Sequence, residues 1–319
     1  MLFRSLSIRL INIAVIIIVL ALLTALPFWA SPYVVFFLMT VFSYTVLGQT
    51  WNLLSGFAGL VSLGNQVFIA LGGYSLAILS NKFGVPLIPA VLLGSLVSAV
   101  LAAAMCFTFL RMKGMYFAIA TWITAEAFMA IFSGWKYVGT GFGLFVFAAR
   151  PLTNTALYYC NLVLVVCVIA VVCFLLRSKP GLGLLAMKGD DVSAETSGVS
   201  IFKTRLLCML VNGYITSLAG GVIYFSQIWV EPYSSFNISW TVASMFVVVI
   251  GGIGTVAGPI VGALVYVFLN QYLARLGGIS MVMLGAIAVI VILFAPKGII
   301  GTLQEKFNFE IFSLRRRSE

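Results

Sequence analysis

Hydrophobic positions in this chain come in long unbroken runs, not in the alternation expected of half-buried strands. Between charges and turn residues, the runs predict ten helices. They cover Leu10–Ala30, Tyr33–Leu54, Gln66–Ser80, Val85–Leu110 and Met115–Phe132 in the first half. Ala156–Leu176, Leu206–Ser226, Trp240–Ile250, Pro259–Leu273 and Met281–Ala295 follow in the second. A membrane-spanning helix takes about 20 predominantly apolar residues. The third and eighth runs are short, which marks them as broken or tilted.

Composition narrows the class. The chain has 319 residues, 62% hydrophobic and 8% charged, with a mean hydropathy of +1.17. In hydrocarbon every backbone N–H and C=O must be satisfied internally, so runs of this length suit helices and not barrel strands. The expected fold is all-α: a polytopic transmembrane bundle of about ten spans. It forms one domain over residues 1–319, with a charged loop at 177–205 and a basic tail at 302–319. Arg4 and Arg9 before the run from Leu10 resemble the start of a secretory signal. That run is longer than a usual signal core, so it is read as a retained first span.

Charge sets the orientation. The net charge of +10 does not point to nucleic acid, because the basic residues stand between apolar runs. With the N-terminus inside and ten crossings, only Lys82, Lys136, Arg150 and Arg275 of the 18 Lys and Arg fall outside. The positive-inside rule therefore places both termini in the cytoplasm.

Catalytic chemistry finds little material here. The chain has no histidine, and its five cysteines form no C-x-x-C pair, so neither a zinc site nor a redox centre is expected. No cofactor is called for, and no enzymatic activity. A phosphate-cradling G-x-x-x-x-G-K-[ST] is absent. Gly252–Ala257 fits a loose dinucleotide pattern, but it lies in an apolar segment and reads as helix packing. If ATP drives this protein, another subunit hydrolyses it.

Two glycine-rich breaks matter more. Gly56–Gly64 enters the third span, and Gly251–Pro259 separates the eighth from the ninth. Divided five and five, the spans place these breaks at comparable points in two halves of opposite sense. Inverted repeats with interrupted helices are a transporter pattern, and such breaks point to the substrate path. Close packing through small residues is the plainer reading of many of these glycines. Asn52, Ser62, Asn65 and Gln66 stand around the first break, and Thr121, Thr124 and Glu126 stand in the fifth span. Together they are candidates to line one aqueous path. An acid inside a span normally faces a cavity or a partner; the alternative for each is an interhelical hydrogen bond.

The loop Ser133–Thr155 holds Gly139-Thr140-Gly141-Phe142-Gly143 and is read as an outer connector or docking surface. The stretch Arg177–Arg205 concentrates five of the 18 Lys and Arg and three of the eight Asp and Glu. Pro180 and Gly181 are expected to turn the chain away from the sixth span. Asp190, Asp191 and Glu195 then suit a helix of about two turns, with acids at the end the helix dipole favours. Gly198 is the expected stop.

Three stretches resemble the branched-chain amino-acid ABC transporter permeases. Asn52–Leu79 is similar to that family's Asn-Leu-Leu, Gly-x-Ala-Gly and Ser-Leu-Gly series. Met115–Phe128, with Tyr116-Phe117-Ala118 and Glu126, resembles its Tyr-Phe-Ala…Glu segment. Arg177–Arg205 resembles its cytoplasmic coupling loop, with Ser197-Gly198-Val199 in place of Leu-Gly-Ile. Gly251–Gly254 and Pro296–Gly301 also fit.

The resemblance implies a permease subunit in the cell inner membrane, in contact with lipid. Its partners would be a second permease subunit, two cytosolic ATPase subunits and an extracytoplasmic solute-binding protein. Asp190, Asp191 and Glu195 would then dock on an ATPase, and Glu126 with Asn52–Gln66 would lie near the pathway. Asn65-Gln66 departs from a His/Tyr-small pair common in the family, which leaves urea, amides and other small polar solutes as alternative cargo. An ion-coupled secondary transporter with Glu126 as coupling residue is a further alternative, as is a purely structural membrane subunit.

Overall fold

The protein is described from a computed structural model covering residues 14–307 apart from 16, 110, 111, 113, 190, 278 and 296. Arg4, Arg9, Arg111, Lys113, Asp190 and the Arg315–Arg317 tail lie outside the described residues.

Helices account for most of the described residues. They are α1 (Ile17–Phe28), α2 (Pro32–Asn52), α3 (Gln66–Phe83), α4 (Leu87–Phe109) and α5 (Met115–Gly134). Then come α6 (Asn154–Arg177), α7 (Lys179–Gly189), α8 (Asp191–Thr196), α9 (Ile201–Gln227) and α10 (Pro232–Ser235). The last four are α11 (Ser239–Gly251), α12 (Gly258–Leu273), α13 (Ile279–Phe294) and α14 (Gly298–Phe307). Each expected span has a helical counterpart. Among the described residues, seven helices are long and apolar enough to cross a membrane. These seven do not include α1, α3 or α13. Of those, α3 is buried along most of its length, so its environment is protein more than lipid.

Several boundaries differ from expectation for local reasons. α2 does not stop at Leu54 but continues through a π-helical turn, Leu53–Phe57, into the first break. π-bulges of this kind are frequent at functional positions. α9 begins at Ile201, earlier than the apolar run, and carries Lys203 and Arg205 in its first turns. Pro180 and Gly181 do not turn the chain away. They sit in the first turn of α7, where proline costs no helical hydrogen bond.

Packing is organised around α2 and α9. The α9 helix lies against α3 and α4, while α2 lies against α11, α12 and α6. Glycines allow the closest approaches. A Cβ on Gly72 of α3 would fall 2.1 Å from the Ser217 carbonyl oxygen of α9, and one on Gly220 would fall 2.3 Å from that of Ile69. These helices therefore meet backbone to backbone, as small residues permit in membrane bundles.

The connections sort into two ends. At one end, β1 (Leu144–Phe145) pairs antiparallel with β2 (Trp229–Val230). This short sheet joins the α5–α6 and α9–α10 connections. Lys82, at the end of α3, donates to the Tyr137 carbonyl at 2.9 Å and sits 3.2 Å over that ring. Tyr158 of α6 donates to the Leu23 carbonyl of α1 at 2.8 Å. Away from it, the second glycine-rich break packs on α14, and α7 and α8 lie against α9, with Gly183 of α7 beside Thr204 near the α9 start.

Candidate functional site

The two glycine-rich breaks, 195 residues apart in the chain, are joined in space. Asn52 closes α2 and is wholly buried. Its Nδ2 donates to the Thr255 carbonyl at 2.9 Å, and its Oδ1 accepts the Gly254 N–H at 2.8 Å. Gln49, one turn earlier, donates to the Val256 carbonyl at 2.6 Å. Two amide side chains on one helix face thus satisfy backbone groups that the second break leaves without helical partners. A Cβ on Gly56 would fall 2.0 Å from Asn52 Oδ1 and 2.7 Å from Gly254 N, so only glycine leaves room for this junction. In the second break Gly252 and Gly254 adopt φ of 134° and 77°, a region that disfavours side chains.

Other candidates around the first break do separate work. The Ser62 carbonyl accepts from Trp51 Nε1 at 3.0 Å, and its hydroxyl accepts the Gly64 N–H at 3.3 Å. Thr121 of α5 accepts the Leu63 N–H at 3.1 Å. Gly64 packs directly beneath it, since a Cβ there would meet the Thr121 carbonyl oxygen at 2.2 Å. Gln66 opens α3: its N–H reaches Thr241 Oγ1 of α11 at 3.3 Å, and the Thr241 hydroxyl donates back to Gln66 Oε1. Asn65 Oδ1 accepts from Asn212 Nδ2 of α9 at 3.4 Å.

Hydrogen-bonding capacity remains unused in this buried zone. Asn65 Nδ2, Gln66 Nε2, Asn212 Oδ1 and Thr216 Oγ1 have no protein partner. Each such group costs about 1–3 kcal/mol when buried. Concentrated where α3, α9 and α11 meet, they set this zone apart from an ordinary packed helix interface.

Glu126 is not part of this cluster. Five positions separate it from Thr121, about 140° around the helix. It is partly exposed and accepts a 2.9 Å hydrogen bond from Trp122 Nε1, one turn earlier on α5. That face also carries Met115, Tyr116, Ile119 and Ile123, all exposed, whereas Phe117, Ala118, Thr121 and Ala125 form the buried face. The expected grouping therefore divides: Thr121 joins the first break and Glu126 stands on the outer face of α5. Thr124 turns its hydroxyl to the Ala120 carbonyl of its own helix, at 2.8 Å.

In the charged loop, Asp191 begins α8, Glu195 is exposed and Asp190 is outside the described residues. Gly198 adopts φ +83°, with its N–H on the Glu195 carbonyl at 2.9 Å, a left-handed helix stop. α7 was not foreseen. Its Leu184 and Met187 are buried, and it packs against α6, α9 and the π-helical turn that follows Asn52. Sequence reading also missed Gln49, Asn212 and Thr241. Asn212 had a detectable signal, being a lone amide in the apolar run of α9.

A family profile described as "Branched-chain amino acid transport system / permease component" matches residues 33–295. The chain belongs to this family of membrane permeases. It is 26% identical over 314 residues to the Salmonella typhimurium protein named High-affinity branched-chain amino acid transport system permease protein LivM, covering 88% of this chain and 73% of that one. The Escherichia coli K12 protein of the same name is 25% identical over the same shares. A Methanocaldococcus jannaschii protein, named Probable branched-chain amino acid transport permease protein LivH, is 26% identical over 54% of this chain and 58% of its own length. No solved structure matches the chain.

Proposed function

We propose that the chain is the transmembrane permease subunit of an ATP-driven importer for branched-chain or related amino acids in the cell inner membrane. The observation that carries this reading is the match across 33–295, coupled with a helical bundle in which Asn52 joins the two glycine breaks. It would work with cytosolic ATPase subunits, a second permease subunit and an extracytoplasmic solute-binding protein.

About ten crossings in two inverted halves are part of this proposal. Reciprocal packing supports it: α2 lies on α11 and α12, while α9 lies on α3 and α4. In this reading the helices from α2 to α13 would alternate in direction, with α1 as a tenth. Exchanging the halves maps one set of contacts onto the other. The end bearing α7, α8 and α14 is taken as cytoplasmic from the bias of Lys and Arg, which puts both termini inside.

Glu126 belongs to the pathway in this reading. A charge at the bilayer centre costs about 2.5–3.5 kcal/mol on insertion scales, so its face would meet a second permease subunit or water and not lipid. The amide zone of Asn52, Ser62, Asn65, Gln66 and Thr121 would stand at its inner end. Asp190, Asp191, Glu195 and Gly198 would form the ATPase contact with α7 beneath it. ATP-driven closure of the ATPases would push on this loop and switch the access of the path. Reconstitution tests the proposal: leucine uptake into vesicles must require both ATP and the binding protein. Uptake that persists without ATPase subunits, or collapses with an uncoupler while ATP is held constant, would sink it.

A further inference from the structure

We propose that Asn52 is a transmission residue. It carries displacement of α7 across the two glycine-rich breaks to the C-terminal helix α14, so that the second half of the bundle follows the first. The proposal rests on the coupling-loop reading above.

Contacts supply a continuous route. α7 packs on the π-helical turn Leu53–Phe57, which follows directly on Asn52. A π-turn carries one residue more than an α-turn and is a natural place for a helix to change register. Asn52 then grips the second break through one donated and one accepted hydrogen bond, at 2.9 and 2.8 Å. Paired bonds of opposite polarity to successive backbone groups hold register as well as separation, which apolar packing alone does not. The Asn52 side chain is wholly buried, so its own two polar groups are satisfied by this break and not by solvent. Beyond the break, a Cβ on Gly298 would fall 2.5 Å from Gly252 Cα, and α14 packs on both α11 and α12. Movement of the break therefore meets α14 without slack.

Contact alone does not establish coupling, which requires that a shift at one end bias the other. Distance measurements in the assembled transporter provide the test. The five native cysteines are replaced, and spin labels are placed at Leu185→Cys on α7 or Leu303→Cys on α14. Each is paired with a reference label at Val100→Cys on the exposed face of α4. Distances are read with and without a non-hydrolysable ATP analogue, in the parent chain and in Asn52→Leu. The expected result is that nucleotide shifts both distances in the parent. In Asn52→Leu the α7 shift persists while the α14 shift falls at least twofold. An undiminished α14 shift in Asn52→Leu, or no α14 shift in the parent, overturns the proposal. A static α7 label in the parent overturns the coupling reading itself. Should Asn52→Leu fail to assemble, Asn52→Asp keeps the volume and the acceptor for Gly254 while losing the donor to Thr255, and is read by the same criteria.

Discussion

The side-chain oxygen of Asn52 accepts the backbone N–H of Gly254 at 2.8 Å, across 202 positions of sequence. One amide thereby joins the end of α2 to the turn between α11 and α12, and the same side chain donates to the next residue's carbonyl. Replacing Asn52 by Leu removes both bonds and leaves the part-buried Gly254 N–H and Thr255 carbonyl without them. Thermal unfolding in detergent should show a clear loss of stability for Asn52→Leu and a smaller one for Asn52→Asp. A melting temperature unchanged by both would mean that the junction bears no load.

Backbone contact between α3 and α9 makes a sharper prediction. The obstacle at Gly72 is a carbonyl oxygen 2.1 Å from the added Cβ, and it cannot rotate away. Gly72→Ala should therefore separate the helices and reduce the yield of folded protein several-fold. Gly285→Ala is the control, because nothing lies within 4 Å of that position. Size-exclusion profiles of the two variants, side by side, decide the matter.

Glu126 should behave unlike Thr121, although both lie on α5. Glu126→Gln keeps the bond from Trp122, and Glu126→Leu removes it. Neither disturbs a buried contact, so both should fold, while solute uptake by the reconstituted complex falls about tenfold or more, equivalent to about 1.4 kcal/mol. Full transport by Glu126→Leu would reduce this residue to a surface hydrogen bond. Thr121→Val, by contrast, leaves the Leu63 N–H without its acceptor and should lower stability.

Charge reversal in the coupling loop tests the partner. Asp190→Lys with Asp191→Lys should weaken co-purification of the ATPase about tenfold while the permease keeps its melting temperature. Retention of the ATPase at full stoichiometry would place the docking surface elsewhere, with α7 the next segment to examine.

Sidedness follows from the two ends of the bundle. Phe142 and Leu185 are both exposed, one near the β1–β2 pair and the other on α7. A membrane-impermeant maleimide applied to intact cells should label Phe142→Cys and spare Leu185→Cys. The reverse pattern would invert the orientation and, with it, the ATPase contact.

Much of this architecture is written locally. Each long apolar run from Tyr33 onward became a helix within about five residues of its expected bounds, because helix formation and burial in lipid depend on a contiguous stretch. Gly198 ended its helix as expected, since a left-handed stop needs only the residue itself. The division of Thr121 from Glu126 was implicit in their spacing, because five positions cannot share a helix face. α7 escaped because Pro180 and its neighbouring glycines suggest a turn, yet burial of Leu184 and Met187 against α6 and α9 outweighs that propensity.

What the chain decided unaided was its medium, its helical class and where along it the helices lie, all consequences of short-range pattern. Which polar groups meet was decided only in three dimensions. Asn52 finds Gly254, Gln66 finds Thr241 and Asn65 finds Asn212, because α2, α3, α9 and α11 converge. An amide can bond any backbone or side chain brought within about 3 Å, so its partner is chosen by the packing of whole helices and not by its neighbours in sequence.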